Sequence, residues 1–265
     1  MAIIGAILGD ISGSQYEFGR PIDLDWKHCE LFTDRCIFTD DTVMTLAAKL
    51  AIIKGDSKYH ISSFADYYRI YGNKYPNVGY GGCFETWLRH NDTKAYNSYG
   101  NGSAMRVSYV GEYFDNEKDV IKYATKSAEC THNHPEGIKG AVVTAMCIFM
   151  AKTGATKPEI YEYVKKNYPK EDYRYGVEYK LDEYKDKYQW NETCQGSVPV
   201  AIRCFLESDD YESFLRNVYS LRCDMDTLCA IGGGIAEEFY KGTGFDDETL
   251  LKHYLSRELY RIVIM

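Results

Sequence analysis

The sequence predicts an all-α protein, a single compact multi-helix domain over residues 1–265. Three observations predict it. Apolar residues recur at i, i+3, i+4 and i+7 along much of the chain, the spacing that lines one face of a 3.6-residue helix. No strand-type alternation of comparable length competes with these stripes. Only six prolines interrupt the chain, and no repeat of fixed period is visible. About ten helices are expected, with functional loops at their ends.

Taken in order, the first strong stripe is Val43, Leu46, Ala47, Leu50 and Ala51. Thr39 is placed to cap this helix, Asp40 and Asp41 fall in its first turn, where the positive helix end favours carboxylates, and Gly55 closes it. Similar stripes run through Ile138, Ala141, Val142, Ala145, Met146 and Phe149, then Val198, Ala201, Ile202 and Phe205, then Phe214, Leu215, Val218 and Tyr219. Another covers Leu228, Ile231, Ile235 and Phe239, and the last covers Leu251, Tyr254, Leu255, Leu259 and Ile262. Between them, Pro169 to Trp190 differs in composition, being dense in Tyr, Lys, Asp and Glu. This excursion at about 169–190 reads first as a solvated loop or hairpin packed by its own tyrosines, ahead of a substrate-gating lid.

Composition narrows the function classes. With 45% hydrophobic and 15% aromatic residues, including 25 Tyr, the chain is an ordinary globular protein. At 265 residues it can bury roughly three-quarters of its unfolded surface. A formal charge of −8 argues against a nucleic-acid or anionic-membrane footprint, since either needs a basic face. Nine cysteines without a Cys-x-x-Cys pair fit reduced thiols better than a disulfide or zinc framework. The apolar N-terminus lacks a basic region and meets Asp10 early, unlike a signal peptide, and no apolar run approaches membrane-spanning length. A cytoplasmic monomer is expected.

The chemistry-bearing signals are acidic. Gly9-Asp10 followed by Glu17, then Thr39-Asp40-Asp41-Thr42, then Asp224-Met225-Asp226-Thr227 each mix carboxylates with a hydroxyl or a glycine. Oxygen donors of this kind suit hard divalent cations, and carboxylates gathered without a cation would repel one another and take up protons. If the three segments meet in space, the protein is a metal-dependent enzyme. Glycine clusters add a second signal. Gly79-Tyr80-Gly81-Gly82 and Ser98-Tyr99-Gly100-Asn101-Gly102-Ser103 precede predicted helices, where backbone N–H groups can hold a diphosphate and the two tyrosines can face a base or sugar. Such pieces are more often plain turns. In Thr131-His132-Asn133-His134-Pro135-Glu136-Gly137, Pro135 favours a helix start, so polar-loop or ligand-bonding roles for the histidines outrank a transition-metal role. The His-Asp dipeptide of HD-type phosphohydrolases and the Asp-Asp-x-x-Asp signature of isoprenoid enzymes are both missing.

Taken together, Gly5 to Phe18, Thr39-Asp40-Asp41-Thr42, Gly100-Asn101-Gly102-Ser103-Ala104-Met105-Arg106, Thr131-His132, Cys194-Gln195-Gly196-Ser197-Val198-Pro199 and Asp224-Met225-Asp226-Thr227 resemble, in order, the motifs of ADP-ribosylglycohydrolases. This is the family of the dinitrogenase reductase-activating glycohydrolase and the ADP-ribosyl-acceptor hydrolases. The resemblance spans nearly the whole chain. It implies two Mg²⁺ ions, with Mn²⁺ as a substitute, at the base of an ADP-ribose cleft. Mapped by position, Thr39, Asp40, Asp41, Asp224, Asp226 and Thr227 would be metal ligands, and Asp10 a nearby or water-mediated group. Glu17 falls where serine-type members carry a mobile glutamate that contributes to catalysis, and Asp226 is the second choice for moving a proton. Gly79, Tyr80, Gly81 and Gly82 with Ser98, Gly100, Asn101, Gly102 and Met105 would bind substrate, with Tyr99 near the adenosine and His132 against the ligand.

The expected function is Mg²⁺-dependent hydrolysis at C1″ of ADP-ribose, freeing an ADP-ribosylated protein side chain or small molecule. The competing reading is a catalytically silent ADP-ribose binder or a structural, crystallin-like relative. Retention of every acidic ligand speaks against that reading, because a structural descendant has no reason to keep mutually repelling carboxylates. One departure bears on activity. Where relatives usually read Gly-Gly-Asp-(Ser or Thr)-Asp-Thr, this chain has Arg222 and Cys223 for the glycines, which would impose strain or reshape the pocket if those glycines served close backbone approach or positive φ, and Met225 for the small hydroxyl.

Overall fold

A computed structural model describes residues 1–55, 63–90 and 94–265. In chain order the helices are α1 (Ala2–Ser14), α2 (Asp40–Ile53), α3 (Phe64–Lys74), α4 (Gly82–Arg89), α5 (Gly102–Met105), α6 (Ser108–Tyr113), α7 (Glu117–Glu129), α8 (Pro135–Lys152), α9 (Lys157–Asn167), α10 (Leu181–Lys187), α11 (Cys194–Leu206), α12 (Tyr211–Tyr219), α13 (Met225–Tyr240), α14 (Asp247–Tyr254) and α15 (Arg257–Val263). Gly100 and Thr193 make an isolated antiparallel bridge, and no strand occurs among the described residues. The all-α expectation holds, with more and shorter helices than the periodicity implied.

Two helices form the centre. Every residue of α13 from Met225 to Glu237 is buried, and so is nearly all of α1. Helices buried on all sides carry no polar face, which is why α1 shows no amphipathic stripe in the sequence. Gly5, Gly9 and Gly13 lie at i, i+4 and i+8, along one side of α1. A Cβ on Gly9 would sit 2.3 Å from Cys229 O, and one on Gly13 would sit 2.5 Å from the Cα of Asp226. Gly5 and Gly233 are reciprocal, each Cβ falling 2.4 Å from the other's carbonyl oxygen. The two backbones therefore touch. The seam is pinned from the side, because Tyr211 Oη donates to Gly5 O at 2.6 Å and Tyr219 Oη to Ser12 O at 2.6 Å.

Around this pair, α8 packs against α13, α7, α6, α5 and α11, and α2 packs against α1 and α3. Thr39 caps α2 as expected, its Oγ1 accepting from Asp41 N at 3.3 Å. His134 caps α8 with Pro135 in the first turn, its Nδ1 accepting from Glu136 N at 3.1 Å. The last apolar stripe divides into α14 and α15, because Ser256 accepts from Leu259 N and starts a new helix after the extended Leu255. The tyrosine-rich excursion packs on itself. Tyr175, Tyr184 and Tyr188 are buried against one another with ring centroids 4.8–6.3 Å apart, and Tyr188 Oη donates to Gly196 O at 3.0 Å. All nine cysteines are free.

The seam gives a stability prediction. Gly9→Val, by forcing α1 from α13, should cost roughly 3 kcal/mol or more in urea unfolding, at or beyond the upper end of ordinary overpacking. Gly81→Ala, whose Cβ would meet nothing within 4 Å, should cost under about 1 kcal/mol. Equal stabilities would refute the close-contact reading.

Candidate active site

The α1–α13 contact sets Asp10, near the end of α1, beside Asp226 in the first turn of α13. Asp10 is fully buried and its oxygens are engaged by the start of α2. Oδ2 accepts from Thr39 N at 3.0 Å and Thr42 N at 3.1 Å, Oδ1 accepts from Thr39 Oγ1 at 2.6 Å, and Thr42 Oγ1 donates to Oδ2 as well. Asp10 thus acts as a cap supplied from another helix, holding the N-terminus of α2 in place. That hold brings Asp40 and Asp41 to the same point.

Asp41 is buried. Its Oδ2 accepts from Thr227 Oγ1 at 3.3 Å, while Oδ1 has no hydrogen-bond partner among the described residues. Asp226 Oδ1 accepts from Thr227 N at 2.8 Å, and Asp224 Oδ2 accepts from Asn101 Nδ2 at 2.7 Å. Two carboxylate groups result, Asp10 with Asp41 and Asp226, and Glu17 with Asp224 and Asp226, each presenting oxygens within 4.8 Å of one another. Burial together with the other carboxylates pushes Asp40, Asp41 and Asp226 well above the ordinary carboxylate range. Burial raises Asp10 and Asp224 to about 6 against the hydrogen bonds that oppose it. Glu17 rises to about 7, through burial first and the nearby Asp224 second.

Glu17 does not reach this cluster by continuing α1. The helix ends at Ser14, and turn bonds from Tyr16 N to Gly13 O at 3.0 Å and from Glu17 N to Ser14 O at 3.4 Å carry the chain round. The half-buried side chain stands on that turn at the edge of a cleft of about 460 Å³. The cleft floor is Asp40, Asp41, Asp224, Asp226 and Thr227, and its walls include Gly79 to Gly82, Ser98, Gly100 to Gly102, Met105 and His132. Gly79 has φ +101°, and a Cβ on Gly81 or Gly82 would meet nothing within 4 Å. These glycines leave open room and do not serve packing.

Several expected residues fall elsewhere. Asp10 and Thr39 do not line the cleft themselves, although Asp10 stands with Asp41 and Asp226 at its acidic floor and Thr39 is bonded to Asp10. Tyr99 is exposed, off the cleft wall, with its ring edge-on to His134 at 5.2 Å, and Tyr96 faces the cavity instead with its ring 6.0 Å from His132. The backbone strain expected if Arg222 and Cys223 replaced required glycines is not found there, nor at Met225, which stands for a small hydroxyl. None of the three has positive φ, Arg222 is exposed, and Cys223 and Met225 are buried in the core. Sequence reasoning missed Phe18, Trp190, Glu192 and the lining role of Arg106. Phe18 is 83% exposed and stacks on Trp190 with centroids 5.8 Å apart, and Trp190 Nε1 donates to Glu192 Oε1 at 3.1 Å. Two bulky apolar rings in polar surroundings, one next to Glu17 and one ending the tyrosine-rich excursion, were the available signal.

Comparison with known proteins bears on the family and the fold. The ADP-ribosylglycohydrolase family model matches residues 1–245. The chain is 30% identical over 190 residues to human ADP-ribosylhydrolase ARH3, covering 59% of this chain and 50% of that protein. It is 25% identical over 287 residues to the putative ADP-ribosyl glycohydrolase L543 of Acanthamoeba polyphaga mimivirus, covering 91% of this chain and 86% of that one. The chain thus spans about half the length of the ARH3 relatives it matches. A solved structure described as an ADP-ribosylglycohydrolase-related protein complex superposes with a TM-score of 0.73 at 21% identity, over 99% of this chain and 94% of that one, and shows a common fold. With a family match over residues 1–245 and the acidic cleft that the motifs build, this chain belongs to the ADP-ribosylglycohydrolase family.

Proposed function

We propose that the chain hydrolyses the glycosidic bond at C1″ of ADP-ribose, releasing it from a modified protein side chain or small molecule. The observation that carries this reading is six carboxylates, Asp10, Glu17, Asp40, Asp41, Asp224 and Asp226, gathered under a cleft with glycine-rich walls.

The residues fit divalent cations. Their donors are all oxygen, Asp41 Oδ1 is buried with no partner among the described residues, and burial first, then mutual repulsion, raises their tendency to hold protons. We assign Thr39, Asp40, Asp41, Asp224, Asp226 and Thr227 as the residues that hold two Mg²⁺ ions, for which Mn²⁺ would substitute. When bound, the cations would fix the ribose hydroxyls and acidify a nearby water. The chain's own residues supply the rest. Open backbone at Gly81 and Gly82, next to Gly79 and Tyr80, would receive the diphosphate, and the Ser98–Gly102 loop, whose Gly100 and Asn101 N–H groups already donate to Ser98 Oγ and Glu192 O, would form the facing wall of the subsite. Hydrolysis at C1″ passes through a cation-like sugar, which the surrounding carboxylates favour. Glu17, half-buried at the cleft edge beside Asp224 and Asp226, can give a proton to the departing acceptor atom or take one from the attacking water. Asp226 contacts Glu17 and is the next candidate.

Four outcomes are expected. Incubated with serine- and arginine-linked ADP-ribosylated substrates, the protein should release ADP-ribose in Mg²⁺ and not in EDTA. Asp40→Ala and Asp226→Ala should each lower release about 100-fold or more while circular dichroism stays unchanged. Bound ADP-ribose without release from either substrate would instead identify a silent binder, and full activity in both variants would overturn the ligand assignment. Glu17→Gln should reduce kcat at least about 10²-fold while calorimetric Mg²⁺ affinity stays within a few-fold; an unchanged kcat would remove Glu17 from proton transfer. Adding Mg²⁺ to EDTA-treated protein should raise Tm by several degrees, because cations binding only the folded state stabilise it. No rise, with activity likewise independent of EDTA, would argue against a metal site.

A further inference from the structure

Arg106 and Thr131 belong to the sequence motifs but have no role in the account above. Arg106 is only 1% exposed although it carries a full charge. Its guanidinium lies 4.1 Å from the centroid of Tyr68, and its Nη2 donates to Ser127 O at 2.9 Å and to Thr131 Oγ1 at 2.8 Å. Thr131 Oγ1 in turn lies 2.7 Å from His132 Nδ1.

Counting protons along this line fixes the histidine. A guanidinium only donates, so one lone pair of Thr131 Oγ1 is taken by Arg106. The hydroxyl has a single hydrogen, and its best acceptor is His132 Nδ1. The neighbouring Cys130 thiol, which donates to Ser127 O at 3.4 Å, is a weak acceptor and does not compete. Nδ1 therefore accepts and bears no hydrogen. Burial, with Arg106 beside it, keeps the ring neutral, well below the ordinary histidine range. The ring's one hydrogen then sits on Nε2. That atom has no hydrogen-bond partner among the described residues, although the residue is 95% buried. It lies over the glycine loop, since a Cβ on Gly102 would come within 3.3 Å of Nε2 and one on Gly100 within 3.6 Å. His132 itself lines the cleft.

We propose that Arg106 and Thr131 are positioning residues that lock His132 in its Nε2–H tautomer, making it a hydrogen-bond donor, never an acceptor or metal ligand, to an oxygen of the ligand seated on the Gly100–Gly102 loop. The identity of that ligand rests on the ADP-ribose reading above. The relay itself is a property of the free protein. It also decides between the two roles open to His132 in the sequence, because a metal ion or a substrate hydroxyl proton would need the lone pair that Nε2 lacks.

Long-range ¹H–¹⁵N spectra of the full chain labelled in histidine, recorded without ADP-ribose, test the relay. His132, assigned by its loss in His132→Gln, should appear as a neutral ring with hydrogen on Nε2. Thr131→Val removes the hydroxyl at nearly constant shape and should give a mixed or reversed tautomer with about tenfold weaker ADP-ribose binding by calorimetry, whereas Thr131→Ser should restore both. An Nδ1–H or doubly protonated His132 in the wild type, or an unchanged tautomer in Thr131→Val, overturns the proposal. Should Thr131→Val fail to fold, the near-isosteric pair His132→Gln and His132→Glu decides the donor role. Gln carries an amide donor and should bind ADP-ribose within about threefold of wild type, while Glu should lose at least about tenfold; the opposite order overturns the proposal. Wild-type protein that fails to bind ADP-ribose would refute the ligand reading, and the spectra would still decide the relay.

Discussion

The contact between α1 and α13 is the constraint from which the cleft follows. Because Gly5, Gly9 and Gly13 let the two backbones touch, the end of α1 falls beside the start of α13, and Asp10 comes level with Asp226. Asp10 then grips Thr39 and Thr42, which fixes the start of α2 and delivers Asp40 and Asp41. Thr227 closes the circuit by donating to Asp41. Each step is a packing or hydrogen-bond relation between helices distant in sequence, and removing the first separates the rest.

Such a cluster is costly to bury. Each carboxylate taken from water costs several kcal/mol if nothing answers its charge, and these six also repel one another. The fold offsets part of this cost with helix geometry. Asp40 and Asp41 occupy the first turn of α2, while Asp224 and Asp226 flank the start of α13, so two positive helix ends face the same point. Hydrogen bonds from Asn101, Thr39, Thr42 and Thr227 offset more. Asp41 Oδ1 receives none of these bonds from the described residues, and the raised pKa values measure what the protein leaves unanswered. The opposite wall works differently: Arg106 lies deep beneath it, with its charge spent on Ser127, Thr131 and aromatic faces.

Features set by local physics were legible in the sequence. The stripes of α2, α8, α11 and α12, the Thr39 cap and the Pro135 start depend on neighbours within a few residues, and they appear where the spacing put them. The acidic segments were legible as chemistry because few other reasons gather carboxylates with hydroxyls. Features set by contacts across the chain were not. Nothing near Gly9 tells that Cys229 will lie against it, and helix periodicity could not show that α1 stops at Ser14 and leaves Glu17 on a turn. Likewise nothing local shows that Tyr96 lines the cleft while Tyr99 sets its ring against His134 at the surface. At Arg222 and Cys223, the negative φ of the observed backbone admits side chains without strain, which residue identity alone could not show.

The glycine seam also carries a consequence for biosynthesis. Gly5 and Gly233 meet although 228 positions separate them, so their encounter closes a loop of nearly the whole chain. During translation, α1 emerges long before α13 and must wait, with its apolar length unsheltered, until α13 leaves the ribosome. The acidic centre therefore assembles only after α13 has been made. A nascent chain truncated before residue 225 would carry five of the six carboxylates and none of the helix that organises them.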